Sequence, residues 1–206
     1  MHKGSPVPEL NKLSKLIYTL CVKYHIIYEG QWLPRYLNEQ ADFLSKCFDP
    51  DDFQLNPILF KMLTEVFGNF TIDRMADDDN YQLPLFNSKW FSKHAIAFDC
   101  FTQDWSGHLN YCFPPPNLII NVLKHMQFCE AKGCIIVPEW TGHKFWPLLA
   151  TSGGPFYRFV KKKWILPKMQ NMLFLGKGGR AIYKEKKSKF DGVPDFNLIA
   201  LFIDFS

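Results

Sequence analysis

Phe67-Gly68-Asn69-Phe70-Thr71-Ile72-Asp73 decides how this chain folds. Ahead of it, Pro57 to Phe67 reads as a helix opened by proline and stopped by Gly68. Behind the stop, Phe70-Thr71-Ile72-Asp73 reads as a short strand ending in an acid. The acidic loop Asp77-Asp78-Asp79-Asn80 then leads to a weak extended segment. Ala95-Ile96-Ala97-Phe98-Asp99 and Leu109-Asn110-Tyr111-Cys112-Phe113 are further short buried strands. Pro114-Pro115-Pro116 breaks the second of these, Asn117 is placed to cap a helix to Ala131, and Gly133 closes that helix. Cys134-Ile135-Ile136-Val137 is the next strand, ended by Pro138, and a helix is expected from about Gly142 to Ala150. Beyond Gly153-Gly154-Pro155 the pattern turns to strands and turns, ending in a strand from Phe196 to Phe205. Strands alternating with helices predict a parallel α/β sheet, and the closing strands predict an antiparallel edge.

Upstream, Leu10, Leu13, Leu16, Ile17 and Leu20 recur at helical spacing, so residues 9 to 24 read as an amphipathic helix. Ile26 to Leu33 reads as a strand that Pro34 ends, and Asn38 is placed to cap a short helix through Ser45. Asp49-Pro50-Asp51-Asp52 is a turn-rich linker. It predicts two domains, residues 1–48 and 49–206.

The 206 residues are 47% hydrophobic, 21% charged and 17% aromatic, with 20 phenylalanines, which is ample core material for a globular chain. The longest apolar runs, such as Leu198 to Ile203, fall far short of the ~20 residues of a membrane span. The start, Met1 to Pro6, has no apolar signal core, so a reducing intracellular setting, cytoplasmic or nuclear, is expected, with no membrane partner. Six cysteines stand at 21, 47, 100, 112, 129 and 134 without a Cys-x-x-Cys knuckle, which favours buried free thiols over a zinc site. Net charge is +4 but unevenly spread: Asp49 to Asp104 holds ten acids against four bases, and Arg158 to Lys189 holds eleven bases against one acid.

Two stretches carry resemblances. Asn38-Glu39-Gln40-Ala41-Asp42-Phe43-Leu44-Ser45 resembles the last catalytic segment of a reverse-transcriptase-associated ribonuclease H. Such enzymes gather carboxylates around two metal ions, and Asp42 matches the last of them. The remaining carboxylates would lie upstream and are absent, so residues 1 to 48 form an incomplete ribonuclease H-like βα remnant that should not cut RNA alone.

Residues 67 to 148 carry the second, in the order Phe67 to Asp73, Ala76, Asn80, Asp104-Trp105, Phe113 to Pro116, Ile136-Val137-Pro138 and Phe145-Trp146. This order is similar to the phage-type DNA adenine methyltransferases. It is closer still to the methyltransferase-like domain that follows ribonuclease H in tyrosine-recombinase retrotransposons of the DIRS type. The resemblance implies a Rossmann-like, methyltransferase-type mixed sheet with antiparallel C-terminal strands. It implies that Asp73 and Asp104 match acids that help hold S-adenosylmethionine. At the catalytic motif it implies a polar residue, two prolines and an aromatic that stacks on a flipped base. Here the polar and aromatic positions are Phe113 and Pro116, flanking Pro114 and Pro115, so the motif is degenerate. Tyr111 is placed by alternation on the face of Phe113 and does not restore it.

Lys161-Lys162-Lys163-Trp164 and the cluster of Lys184, Lys186, Lys187 and Lys189 are candidate contacts to nucleic-acid phosphates, with Tyr157, Trp164 and Tyr183 available for stacking. A solvated face with interleaved core aromatics is the alternative. Gly176-Lys177-Gly178-Gly179-Arg180 lacks the full phosphate-loop spacing and reads as a hairpin turn. Asp77-Asp78-Asp79 lacks calcium-loop spacing, and His94, His108, His125 and His143 show no metal-ligand spacing.

The expectation is a retrotransposon-derived polyprotein fragment, non-catalytic, with DNA or RNA as candidate partners alongside other domains of the polyprotein. S-adenosylmethionine is its one candidate cofactor. A DNA adenine methyltransferase is the enzymatic alternative, and a structural or interaction module of the polyprotein is the third.

Overall fold

The computed structural model describes residues 7–29, 31–38, 53–175 and 193–206. The chain divides into two units, Met1–Cys47 and Phe48–Ser206. Asp42, Lys184, Lys186, Lys187 and Lys189 lie outside the described residues, as do Tyr183, the Gly176–Arg180 turn and the helix expected after Asn38.

In the first unit α1 runs Pro8–Lys23, with proline in its first turn and Lys23 in its last, where a cation meets the helix's negative end. No residue of α1 is buried. The strand expected over Ile26 to Leu33 is not formed at 26–29 or 31–33; those residues are exposed, and a single 3-10 turn follows at Arg35–Leu37. β-branched content is present, but a strand exists only by pairing, and no ladder includes these residues.

The second unit opens with β1 (Phe53–Leu55) and α2 (Pro57–Phe67). Asn56 caps α2, its Oδ1 accepting the Ile58 N–H at 2.9 Å, and Gly68 ends it at φ 96°, a left-handed backbone that favours glycine. Then come β2 (Ile72–Ala76), β3 (Phe86–Ser88), β4 (Ala97–Phe98), β5 (Leu109–Cys112), α3 (Ile119–Phe128), β6 (Lys132–Pro138), β7 (Val160–Ile165), β8 (Leu173–Leu175) and β9 (Leu198–Asp204). β1 and β8 form a small antiparallel sheet, and the other seven strands form one mixed sheet in the order β4-β3-β2-β5-β6-β9-β7. β4 through β6 are parallel neighbours, whereas β9 runs antiparallel to both β6 and β7.

Alternation along the strands sends side chains to two cores. On one face Cys112, Ile135 and Val137 pack with Ile119, Val122, Leu123 and Met126 of α3. On the other, Tyr111, Cys134 and Ile136 pack with Leu59 and Leu63 of α2 and with Leu55 and Leu173 of the small sheet. The unit is therefore a mixed α/β fold with a helix against each face of a mostly parallel sheet.

Several expectations need correcting. β2 runs on through Ala76, so Asp73 is its second residue and not its last. Asn117 does not cap α3, which starts at Ile119 without a side-chain cap. Gly133 does not close α3: Glu130 takes the left-handed position at φ 49°, and the Ala131 N–H returns to the Met126 carbonyl at 2.9 Å. Gly133 sits instead within β6, where a Cβ would stand 2.2 Å from the Asn110 carbonyl oxygen, so the close approach of β5 demands glycine. The helix expected from Gly142 to Ala150 shrinks to a 3-10 turn at Trp146–Leu148. The closing strands, by contrast, do form the expected antiparallel edge, with β9 antiparallel both to β6 and to the outermost strand β7.

Candidate functional site

From β2 the chain moves to β3 and β4 on one side, then returns to β5 and β6 on the other. The strand order reverses between β2 and β5, and in open α/β sheets the crevice outside the C-terminal ends of such strands is the usual ligand site. Two loops border it: residues 77 to 80 leaving β2, and Phe113 to Pro116 leaving β5.

Asp73 is 2% exposed. Its Oδ1 accepts the Met75 N–H at 3.2 Å and its Oδ2 accepts the Gln82 N–H at 3.1 Å. The carboxylate thus ties the loop leaving β2 back to the strand. The turn beyond closes on itself. The Asp77 N–H donates to Asn80 Oδ1 at 2.6 Å, the Asp79 N–H to Asp77 Oδ1 at 2.7 Å, and the Asn80 N–H to the Asp77 carbonyl at 3.4 Å. Two Asx-type bonds and one backbone turn bond thus occupy the N–H groups of Asp77, Asp79 and Asn80, which would otherwise be open to an anion, and the turn carries three acidic side chains.

Asp104 lies elsewhere. It precedes β5, in the segment holding His108, whose Nδ1 meets Thr71 Oγ1 at 3.2 Å just ahead of β2. The Ser106 N–H and then the Ser106 hydroxyl, both at 2.9 Å, hold the Asp104 carboxyl below the usual carboxylate range. Asp73 pairs in register with Tyr111 on the α2 face, whereas Asp104 offers its carbonyl to Arg74, whose guanidinium lies over Trp105 in the α3-face core. The structure does not bring the two acids together.

Phe113 is half-buried and packs against the α2-face core, Pro114 is buried, and Pro115 and Pro116 are half-buried. The Pro115 carbonyl accepts the Leu118 N–H at 2.9 Å, so the prolines shape the turn into α3. Tyr111 shares the face of Phe113, as alternation requires. Its ring stands edge-on to Phe60 with centroids 4.9 Å apart, and its hydroxyl is buried without a hydrogen-bond partner. Burial, with the Asp73 charge adding, pushes the phenol well above its ordinary value. It is a core aromatic, not a proton acceptor for an incoming amine. Taken together, these residues do not fit S-adenosylmethionine: the buried acid is engaged by its own loop, the second acid faces another region, and the turn's donors are occupied.

The basic segment is half spoken for. Lys162 Nζ donates to the Val66 carbonyl at 2.9 Å and lies 5.6 Å from the centre of the Phe67 ring. Lys163 Nζ donates to Glu139 Oε1 at 2.5 Å, and Asn197 donates to the other oxygen at 2.9 Å. Lys161 is exposed, and Trp164 is half-buried against the α2-face core. Lysines on β7, an edge strand, also guard against edge-to-edge pairing with another chain.

Sequence reasoning passed over Arg74. It is 2% exposed, and no carboxylate pairs with it among the described residues. Its donors go to Asn110 Oδ1 at 2.7 Å, Asn87 Oδ1 at 2.9 Å and the Asp104 carbonyl at 3.2 Å. The signal was present: an arginine in the short run Ile72-Asp73-Arg74-Met75-Ala76, with apolar Ile72, Met75 and Ala76 around it. Among the described residues no three His, Cys, Asp or Glu side chains gather to hold a metal ion, and no helix is long and apolar enough to cross a membrane. No protein-family model matches this chain, and no curated protein matches it.

Proposed function

We propose that the second unit is a methyltransferase-shaped scaffold from a DIRS-type retrotransposon polyprotein that no longer transfers methyl groups and serves as a nucleic-acid-binding module. The observation that carries this reading is the sheet order β4-β3-β2-β5-β6-β9-β7, with β9 slotted antiparallel between β6 and β7. It supports the mixed sheet with antiparallel C-terminal strands that the methyltransferase resemblance implies. Loss of chemistry is supported by Phe113 and Pro116 at the positions for a polar acceptor and a stacking aromatic. The self-closed acidic turn after β2 supports it too.

The test is calorimetric titration of the full chain with S-adenosylmethionine, beside anisotropy titration with a labelled single-stranded oligonucleotide. Oligonucleotide binding without cofactor binding is the expected pair of results. Cofactor binding with methyl transfer to DNA would restore the enzyme reading, and absence of oligonucleotide binding would leave a structural module of the polyprotein. The proposed origin is checked in the genome: a reverse-transcriptase reading frame should lie directly upstream of this coding sequence.

A further inference from the structure

Trp90 and Phe91 are 73% and 86% exposed, side by side on the loop that leaves β3 at the candidate crevice's end of the sheet. Two large adjacent aromatic surfaces left in water need a reason, because folding normally hides them. Their exposure does not come from a slack loop. The Ser88 hydroxyl donates to the Trp90 carbonyl. Ser92 Oγ donates to Asp78 Oδ1 at 2.6 Å and accepts the N–H groups of His94 and Ala95 at 3.1 and 3.2 Å. His94 Nδ1 lies 3.2 Å from the same Asp78 oxygen. The segment is thus pinned on both sides of the two rings, and the pins hold them outward. Lys89 stands 5.8 Å from the centre of the Trp90 ring, and Lys93 follows Ser92, so cations flank the rings in the order Lys-Trp-Phe-Ser-Lys-His.

Given the nucleic-acid reading above, on which this inference rests, we propose that Trp90 and Phe91 form a stacking platform for a single-stranded nucleic acid, with Lys89 and Lys93 meeting its phosphates. Bases stack on aromatic faces regardless of sequence, and flanking cations follow the backbone. A duplex hides its base faces and is disfavoured. The acidic turn at 77 to 79 keeps phosphates out of the crevice, so the strand runs along the outer side of the loop. Asp78, bonded to Ser92 and His94, anchors the loop. This site is separate from the lysines of β7.

The experiment uses the full chain and a fluorescein-labelled twelve-residue oligothymidylate, followed by anisotropy at several salt concentrations. Trp90→Ala with Phe91→Ala should weaken binding by about tenfold or more, while Trp90→Phe retains most of it. Lys89→Ala with Lys93→Ala should lower the salt slope by about 1.4, two phosphate contacts at about 0.7 each. An unchanged melting temperature in the aromatic variant shows that affinity, not folding, was lost, and tryptophan quenching by the unlabelled oligonucleotide that is present in the parent and lost in Trp90→Phe reports the stacking. If the parent binds and the aromatic variant binds equally well while Lys161→Ala does not, the platform is wrong and the nucleic-acid reading stands. If the parent prefers duplex, the platform is wrong as well. If the parent binds no oligonucleotide at all, both fail together.

Discussion

Arg74 and Asn110 meet inside the sheet's core, the guanidinium Nε–H donating to the amide Oδ1 across 2.7 Å. The same amide's nitrogen faces the carbonyls of Trp105, His108 and Lys132 at 3.0, 3.0 and 2.8 Å. Asn110 therefore joins β5 to β6, to the loop before β5 and to a buried cation. Desolvation lowers the arginine's pKa, as expected for a charge held by neutral oxygens.

Asn110→Ala takes away one of the three oxygens that hold that charge and leaves the buried Nε–H unpaired, so it should destabilise the chain by about 3 kcal/mol. Adding Arg74→Met removes the under-satisfied charge, so the double variant should cost less than the sum of the two, with a coupling of about 2 kcal/mol. Urea denaturation of the four proteins in the cycle measures it; additive costs would show that the contact contributes no coupling.

Gly133→Ala should be among the most damaging single-methyl changes in the molecule. The new Cβ would sit 2.2 Å from the Asn110 carbonyl oxygen, and neither is a flexible side-chain end. Separating β5 from β6 should cost at least about 3 kcal/mol, read as a lowered denaturation midpoint or failure to accumulate as soluble protein. Gly142→Ala, with nothing within 4 Å of its Cβ, is the control and should be near neutral.

Burial sets the order of thiol reactivity. The Cys100 thiol is pushed up to about 12, and burial also raises those of Cys112 and Cys134, while Cys21 and Cys129 are half-buried. Because the thiolate is the reactive form, iodoacetamide at pH 8 should, among these five described cysteines, modify Cys21 and Cys129 first and the three buried thiols only on unfolding. Peptide mass mapping at timed intervals checks this; early labelling of Cys112 or Cys134 would contradict the packing.

Glu139 links the end of β6 to β7. The Lys163 ammonium, then the Asn197 amide, hold its carboxyl below the usual value of 4.5. A lowered folded-state pKa contributes stability above the ordinary value that is lost as pH falls through the folded one. Glu139→Gln should therefore destabilise the chain at pH 7 by less than about 1 kcal/mol, since the pair is partly solvated. The difference from the parent should shrink as pH drops below 4.5 and vanish under full protonation. Thermal melts of both proteins from pH 3 to 7 would reveal it, and a constant difference across that range would refute the linkage.

Local chemistry made much of the fold legible. α2 was readable end to end, because Pro57 pre-sets the first turn and Gly68 tolerates the left-handed stop. β5, β6 and β9 were readable as apolar runs between breakers. Gly133 was misread because glycine near a helix end and glycine under a neighbouring strand look alike in sequence, and Glu130 took the unfavourable φ instead. The stretch after His25 was misread as a strand because strand-forming residues do not supply a partner.

The candidate site divides the same way. The amino-acid sequence by itself determined which residues were available: a buried-strand acid, a triple proline, an acidic turn and runs of lysine. Only the tertiary structure decided what those groups do. Asp73 is committed to Gln82, and Lys162 and Lys163 are committed to Val66 and Glu139, partners nine to ninety-six residues away. β9 pairs with β6 across 60 to 72 residues and enters the sheet beside it, antiparallel. Hydrogen-bond donors and charges are satisfied by whatever the folded chain brings near them, and that proximity is set by packing over the whole sheet, not by the residues on either side.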